Sequence, residues 1–408
     1  MALVMETPRT IRETLAAIAA VEPHLQAFVA LRDEADAIAQ AARSNGPLAG
    51  QCVAVKDIFD TVDLPTAYGS PIYEGHRPAF DAAMVGIIER AGGVVIGKAA
   101  TTEFAHLQPA ATRNPAAPGC TPGGSSAGSA AAVGAGLVPF AIGSQTGGSV
   151  IRPASYCGVA GFKPSFGLLP TAGMKCFSWS LDTVGLFARD VAGLSRFAHA
   201  VSGERLAAAA PRAPGEWVFG IPSAYPWGDA SESARKALDH AAEALSRAGA
   251  RIERCELPGW AGEAFTAHDA IQGWESVRAL RHEMETRLAD LSPILRDYLV
   301  ASLAVSDAAY ALAQSHALRS RAGCSGWLPA IDVLLTPSAP DEPPEGFGST
   351  GVSTFNRAWT LLGTPCVNVP GATGVNAGPM GLQVIARPGC DGLALAAAAV
   401  LEQALQAA

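Results

Sequence analysis

Residues 119–164 read GCTPGGSSAGSAAAVGAGLVPFAIGSQTGGSVIRPASYCGVAGFKP, and the fold turns on how this stretch is taken. Gly, Ser and Ala dominate it, a composition that a flexible linker shares. Its middle, AAAVGAGLVPFAIG, is apolar enough to be buried, and a Gly-Gly-Ser turn stands on each side. Glycine lets a backbone take positive φ and approach another group closely. The stretch therefore reads as two tight turns that hold Ser125 and Ser149 at the ends of a buried helix and strand.

A serine hydroxyl needs a base beside it before it can act as a nucleophile. The nearest upstream candidate is Lys56, where the apolar run Val53 to Val55 ends and Asp57 follows. Taken alone, such a lysine is more often a strand end turning into solvent. The ordered set CVAVKD, GGSSAGS, GSQTGGSVIRP and GVAGFKP shifts that balance, because it resembles the amidase signature family. The resemblance implies a triad with Lys56 as base, Ser125 as a bridging serine on a cis peptide, and Ser149 as the acyl-forming serine. It also implies an oxyanion hole of backbone N–H groups at Thr146, Gly147, Gly148 and Ser149. Glycines in such a turn let successive N–H groups converge on one point.

Two positions depart from the commonest family pattern. Gln145 stands where many members carry an acid, and Arg152 lies three residues past Ser149 instead of two. This variant resembles the malonamidases of the family, as do MKCFSWSLDTVGLF and the later VNVPG and GLQVIARPG. That resemblance implies substrate binding by Arg152, whose planar fork would take a carboxylate with two parallel hydrogen bonds. It also implies a possible homodimer. The alternative for Arg152 is an internal salt bridge that braces the turn.

Of the 408 residues, 49% are hydrophobic and 16% charged, which suits a large buried core. No apolar run reaches the ~18–20 residues of a membrane helix. The net charge is −8 with Lys and Arg scattered. This argues against nucleic acid and membrane partners. The first residues, MALVMETPRT, lack the basic and apolar regions of a signal peptide, so a cytoplasmic location is expected. The eight cysteines form no CxxC pair or zinc-ligand spacing and read as free thiols, mostly buried. No metal is expected. No phosphate-cradling glycine motif occurs, so no cofactor is expected either. GSSAG fits a G-x-S-x-G pattern at Ser126, but the proline-rich NPAAPGCTPG before it cannot be the strand that an elbow needs. The eight histidines stand singly and read as packing or surface residues.

Along the chain, residues 8–44 read as two helices separated near Pro23. Residues 52–55 form a strand, AAMVGIIERAGG a helix and VVIGK a buried strand, a unit that suggests parallel pairing. SSAGSAAAVGAGL reads as a helix, VPFAIGS as a strand, QTGGS as a turn, and VIRPASYCGVAGFKP as strand and turn. MKCFSWSLDTVGLFARDV leads into the helix VAGLSRFAHAVSG. Residues 205–215 read as a surface linker. WVFGIPSA, ASESARKALDHAAEALSRAGA and RIERCELP follow as β-α-β. Residues 263–322 are helical, with breaks near Pro293 and Ser306. WLPAIDVLLTPSAP is a strand, TFNRAWTLLG a helix, CVNVPG and GLQVIARP strands, and LALAAAAVLEQALQA a closing helix. No internal repeat is seen. The expected fold is α/β: a large mixed, mostly parallel sheet covered by helices on both faces. It is expected as a single amidase domain over 1–408, with 205–325 as a helical insertion region.

The expected function is a serine amidase that hydrolyses a small primary amide, carboxylate-bearing like malonamate, to acid and ammonia. The alternatives are an amidase of a biuret- or allophanate-type, aryl or fatty amide, an amidotransferase glutaminase subunit, or a non-catalytic binding protein of the same fold.

Overall fold

The structure, a computed structural model, describes residues 9–210, 212–326 and 330–408. Most of the N-terminal stretch read for targeting (1–8), one linker residue (211) and the start of the WLPAIDVLLTPSAP segment (327–329) lie outside the described residues.

The chain opens with α1 (Ile11–Leu25), β1 (Phe28–Leu31) and α2 (Glu34–Arg43). Next come β2 (Cys52–Lys56), α3 (Ala83–Arg90) and β3 (Val94–Ala99). The glycine-rich stretch folds as α4 (Ala127–Gly134), β4 (Phe140–Gln145), α5 (Ile151–Tyr156) and β5 (Ala160–Lys163). β6 (Thr183–Ala188) and α6 (Val191–Ser202) follow. The second half runs β7 (Val218–Pro222), α7 (Glu232–Arg247), β8 (Arg251–Cys255), α8 (Gly259–Ala279), α9 (Arg281–Arg287), α10 (Pro293–Ser302) and α11 (Asp307–Ser325). It closes with β9 (Val333–Pro337), α12 (Arg357–Leu361), β10 (Cys366–Thr373), β11 (Pro379–Ile385) and α13 (Asp391–Gln406).

These strands form one mixed sheet of 11, in the order β1-β3-β2-β4-β6-β5-β10-β11-β9-β7-β8. Parallel pairing occurs where strand–helix–strand units lie, at β3-β2-β4 and β9-β7-β8. Between those flanks β4-β6-β5-β10-β11-β9 pair antiparallel, and β1 adds antiparallel to β3. Short connections such as that between β10 and β11 can only reverse the chain, whereas parallel neighbours need a crossover.

Helices cover both faces. Val53, Val55, Phe140 and Ile142 on one face share a core with residues of α3, α6, α7 and α13. Cys52, Ala54 and Ala141 on the other pack with α1 and α4, and further along Leu334, Cys366 and Ile385 pack with α8, α11 and α12. The 205–325 region adds more than helices, since it contributes β7 and β8 to the sheet.

Two segments differ from their expected form. Phe28–Leu31 is an edge strand instead of part of a helix. Gln26 turns left-handed to end α1, and the Asp33 side chain caps Ala35 N–H to start α2, so the aromatic and β-branched run between them is free to pair. VIRPASY is a helix instead of a strand, with Pro153 in its first turn, where a missing N–H costs nothing.

Candidate active site

Alternation along β2 decides where its last side chain goes. Val53 and Val55 face one core, whereas Cys52 and Ala54 face the core under α4. Successive side chains point to opposite faces, so Lys56 is sent to the α4 side. There its Nζ lies 2.7 Å from Ser125 Oγ and 2.8 Å from Ser144 Oγ, with Ser144 O at 3.5 Å. Both Lys56 and Ser125 are fully buried. The Gly124–Ser125 peptide is cis, and Ser125 O accepts from Thr102 N–H at 3.2 Å. Burial holds the Lys56 amine well below an ordinary lysine's 10.5, with the Asp182 carboxylate partly opposing it.

Three lysines of this protein are wholly buried, and their partners separate them. Lys98 has the Asp57 carboxylate at 3.1 Å. Lys163 donates to the carbonyls of Pro164 and Thr364. Carboxylates and carbonyls only accept, which favours a charged amine. Lys56 meets two hydroxyls, and a hydroxyl can also donate to an amine lone pair. It is thus the buried lysine suited to hold a proton or release one.

Ser149 follows the turn after β4. It is 7% exposed, so of the two serines it is the one a substrate can reach. Its carbonyl accepts from Ser126 N–H at 3.4 Å, which ties it to the residue after Ser125. The Ser149 hydroxyl makes no hydrogen bond to the described residues. The structure therefore brings Lys56 and Ser125 into direct contact, and joins Ser149 to them through the neighbouring backbone.

The turn from Thr146 to Ser149 has its carbonyls and its N–H groups divided. Thr146 O accepts from His268 Nε2 at 2.8 Å, Gly147 O from Thr360 Oγ1 at 2.9 Å, and Gly148 O from Arg152 N–H at 3.0 Å. Among the described residues, no acceptor takes the N–H of Gly147, Gly148 or Ser149. Unused N–H groups in a turn next to a serine are what an oxyanion needs. Gly148 has to be glycine for a packing reason: a Cβ there would lie 2.5 Å from Asn356 Oδ1 and 2.7 Å from Ser353 Cβ.

Gln145 fastens this turn from inside. Its Oε1 accepts the N–H groups of Val150 and Ile151 at the start of α5, and its Nε2 donates to Thr360 Oγ1 at 2.9 Å. An acid here could accept from the helix start but could not donate to Thr360. Thr146 is held by its side chain too, through Asp182 at 2.6 Å. Asp182 is buried, which raises its pKa, and the Phe177 and Ser178 N–H groups offset part of that cost.

Arg152 is 1% exposed, and burial pushes its pKa down to about 10. Its guanidinium donates to Gly351 O at 3.0 Å, Gly124 O at 2.7 Å and Thr350 Oγ1 at 3.3 Å. No carboxylate pairs with it among the described residues, so the internal salt bridge expected as its alternative role is absent there, and carbonyl and hydroxyl oxygens are its partners instead. One of its acceptors, Gly124 O, belongs to the cis peptide that carries Ser125.

Ser144, Asp182, His268 and Thr360 were not singled out in the sequence. Ser144 and Asp182 lie inside recognised motifs, and their polarity next to a turn was the available signal. His268 and Thr360 are distant in sequence and carried none.

A family model described as Amidase matches residues 9–395. The A subunit of the glutamyl-tRNA(Gln) amidotransferase of Thermotoga maritima is 31% identical, across 96% of this chain and 90% of its own. A chain of a solved, inhibitor-bound vestigial protein complex, one that reveals the evolutionary origins of an s-triazine catabolic enzyme, superposes with TM-score 0.86 at 29% identity, covering 96% and 94% of the two chains. The peptide amidase of Stenotrophomonas maltophilia superposes with TM-score 0.80 at 27% identity, covering 97% and 93%.

Proposed function

We propose, starting from a chain that belongs to the amidase family and hydrolyses amide C–N bonds, that Ser149 is its nucleophile and that Lys56 activates it through Ser125. Ser149 Oγ attacks the amide carbon. Its proton passes to Ser125 Oγ, whose own proton passes to the neutral Lys56 amine. The oxyanion is met by the N–H groups of the Thr146–Ser149 turn. When the intermediate collapses, the proton returns along the same path to the leaving nitrogen, and ammonia departs from a primary amide. Water then enters by the reverse sequence and releases the acid. The observation that carries this reading is the buried Lys56 amine, 2.7 Å from one serine hydroxyl and, among the described residues, with no carboxylate in contact with it.

For the substrate we propose a small primary amide. A carboxylate-bearing amide such as malonamate would require guanidinium donors free to reach it. Arg152 spends Nη1 and Nη2 on Gly351 O, Gly124 O and Thr350 Oγ1, which supports a bracing role, and its buried Nε has no partner among the described residues. A second reading, the glutaminase subunit of an amidotransferase, is favoured by the similarity to the A subunits.

Ammonia release from malonamate, glutamine and neutral aliphatic and aryl amides tests these readings together. Ser149→Ala is expected to abolish release from every substrate, and residual turnover within about tenfold of the parent would overturn the nucleophile assignment. Arg152→Leu is expected to lower turnover of acidic and neutral amides alike. A loss confined to acidic amides would instead make Arg152 a substrate ligand. Appreciable ammonia release from glutamine only in the presence of amidotransferase partner subunits would select the second reading.

A further inference from the structure

We infer that His268, on α8 in the 205–325 region, is a positioning residue that aims the oxyanion-stabilising N–H of Gly147. The inference rests on the proposed role of the Thr146–Ser149 turn.

A peptide unit is planar and trans, so its C=O and N–H point in opposite directions. The Gly147 N–H shares its peptide plane with Thr146 O, and that oxygen is held by His268 Nε2 at 2.8 Å. A carbonyl only accepts, so His268 must carry its proton on Nε2. Fixing the oxygen on the α8 side turns the Gly147 N–H to the side away from α8. Thr360 Oγ1 does the same for the next peptide by holding Gly147 O.

His268 is itself rigidly placed. It is 1% exposed, and its helix neighbours Ala264, Ala267 and Ile271 are buried against α11 and α12. Among the described residues its Nδ1 has no hydrogen-bond partner, and the nearest carboxylate oxygen, of Asp269, is 3.7 Å away. Arg357 grips that Asp269 with two contacts of 2.7 and 2.8 Å. The ring therefore spends its one directed bond on the turn. The free rotation that a Thr146–Gly147 peptide would have beside glycine is removed by a side chain from a distant part of the chain.

The test compares three substitutions that differ in reach. Glutamine places its amide nitrogen near the position of imidazole Nε2, asparagine falls short of it, and leucine offers no donor. His268→Leu is expected to lower kcat by about 10- to 100-fold with KM changed less than about twofold, somewhat below the ~100- to 1,000-fold of an outright lost donor. His268→Gln is expected to restore kcat to within about threefold of the parent. If the leucine variant does not fold, His268→Asn takes its place and is expected to show the same loss.

A kcat unchanged without the donor, or equal losses in the glutamine and the donor-deficient variants, would overturn the inference. Ser149→Ala, assayed alongside, separates the two levels. If it remains active, the reading of the turn has failed. If it is inactive while the His268 variants are normal, only the role of His268 has.

Discussion

At the scale of single residues, the proposed chemistry depends on an amine that stays neutral in a place where charge is expensive. Lys56 binds no proton in the folded protein over a pH range where the unfolded chain still holds one. The sign follows: between the depressed folded value and 10.5 the unfolded state carries more protons, so the contribution of Lys56 to stability rises with pH across that window. In the proposed relay activity follows the same group, because the relay starts from the neutral form. For the parent, kcat/KM should climb with pH along a limb whose midpoint lies below 10.5 and then level. Lys56→Met should lose at least about a thousandfold in kcat/KM, in line with what general-base residues contribute. The same variant should be relatively most stable at low pH, with its advantage shrinking as pH rises. Urea unfolding of both proteins at several pH values checks this, and an advantage that grows with pH would contradict it. The lysine and both serines were legible in the sequence because each closes a short motif. The neutrality of the lysine was only suggested there by Val53 to Val55. It follows from complete burial, with the hydroxyls of Ser125 and Ser144 as contacts, and Ser144 had no distinguishing pattern.

At the scale of elements, close packing decides what the glycines are for. α4 rests on the ends of β2, β3 and β4, and Ser125 and Ser126 sit just before its first residue. A Cβ at Gly128 would fall on Ala100 N and Ala27 O, both backbone atoms that cannot move aside. Helix propensity alone would favour Gly128→Ala by about 1 kcal/mol. Overpacking costs typically about 1–3 kcal/mol, and the contact here is with main chain, so the clash should win. Gly128→Ala is expected to lower stability by about 1–3 kcal/mol and kcat by more than tenfold, because α4 must lift and carry Ser125 away from Lys56. Chemical denaturation with a parallel rate assay checks both, and a stabilised, fully active variant would contradict this. The expected helix at 125–137 and strand at 138–144 were readable from apolar content between turns. α5 was not, because Pro153 looks like a breaker until its place in a first turn is known. β1 was missed for the opposite reason. Its Phe-Val-Ala-Leu run fits either period, and only pairing with β3 selects the strand.

At the scale of the whole molecule, the site is an intersection of segments that the chain order keeps apart. β2 brings Lys56, the loop before α4 brings Ser125, the turn after β4 brings Ser149, and α8 and α12 hold that turn through His268 and Thr360. The sheet order that achieves this places β4 beside β2 and β6, an arrangement no local pattern encodes. This is why the motif residues could be named from sequence while the contribution of the 205–325 region could not. The central claim, a neutral Lys56 acting on Ser149 through Ser125, is tested most directly with a fluorophosphonate, which bonds to an activated serine. The measurement is the site and rate of labelling, by intact mass and peptide mapping, in the parent and in Lys56→Met. The account requires labelling of the parent at Ser149 alone, and a rate at least about a hundredfold lower in Lys56→Met. Labelling at another serine, or an equal rate in the two proteins, would contradict it.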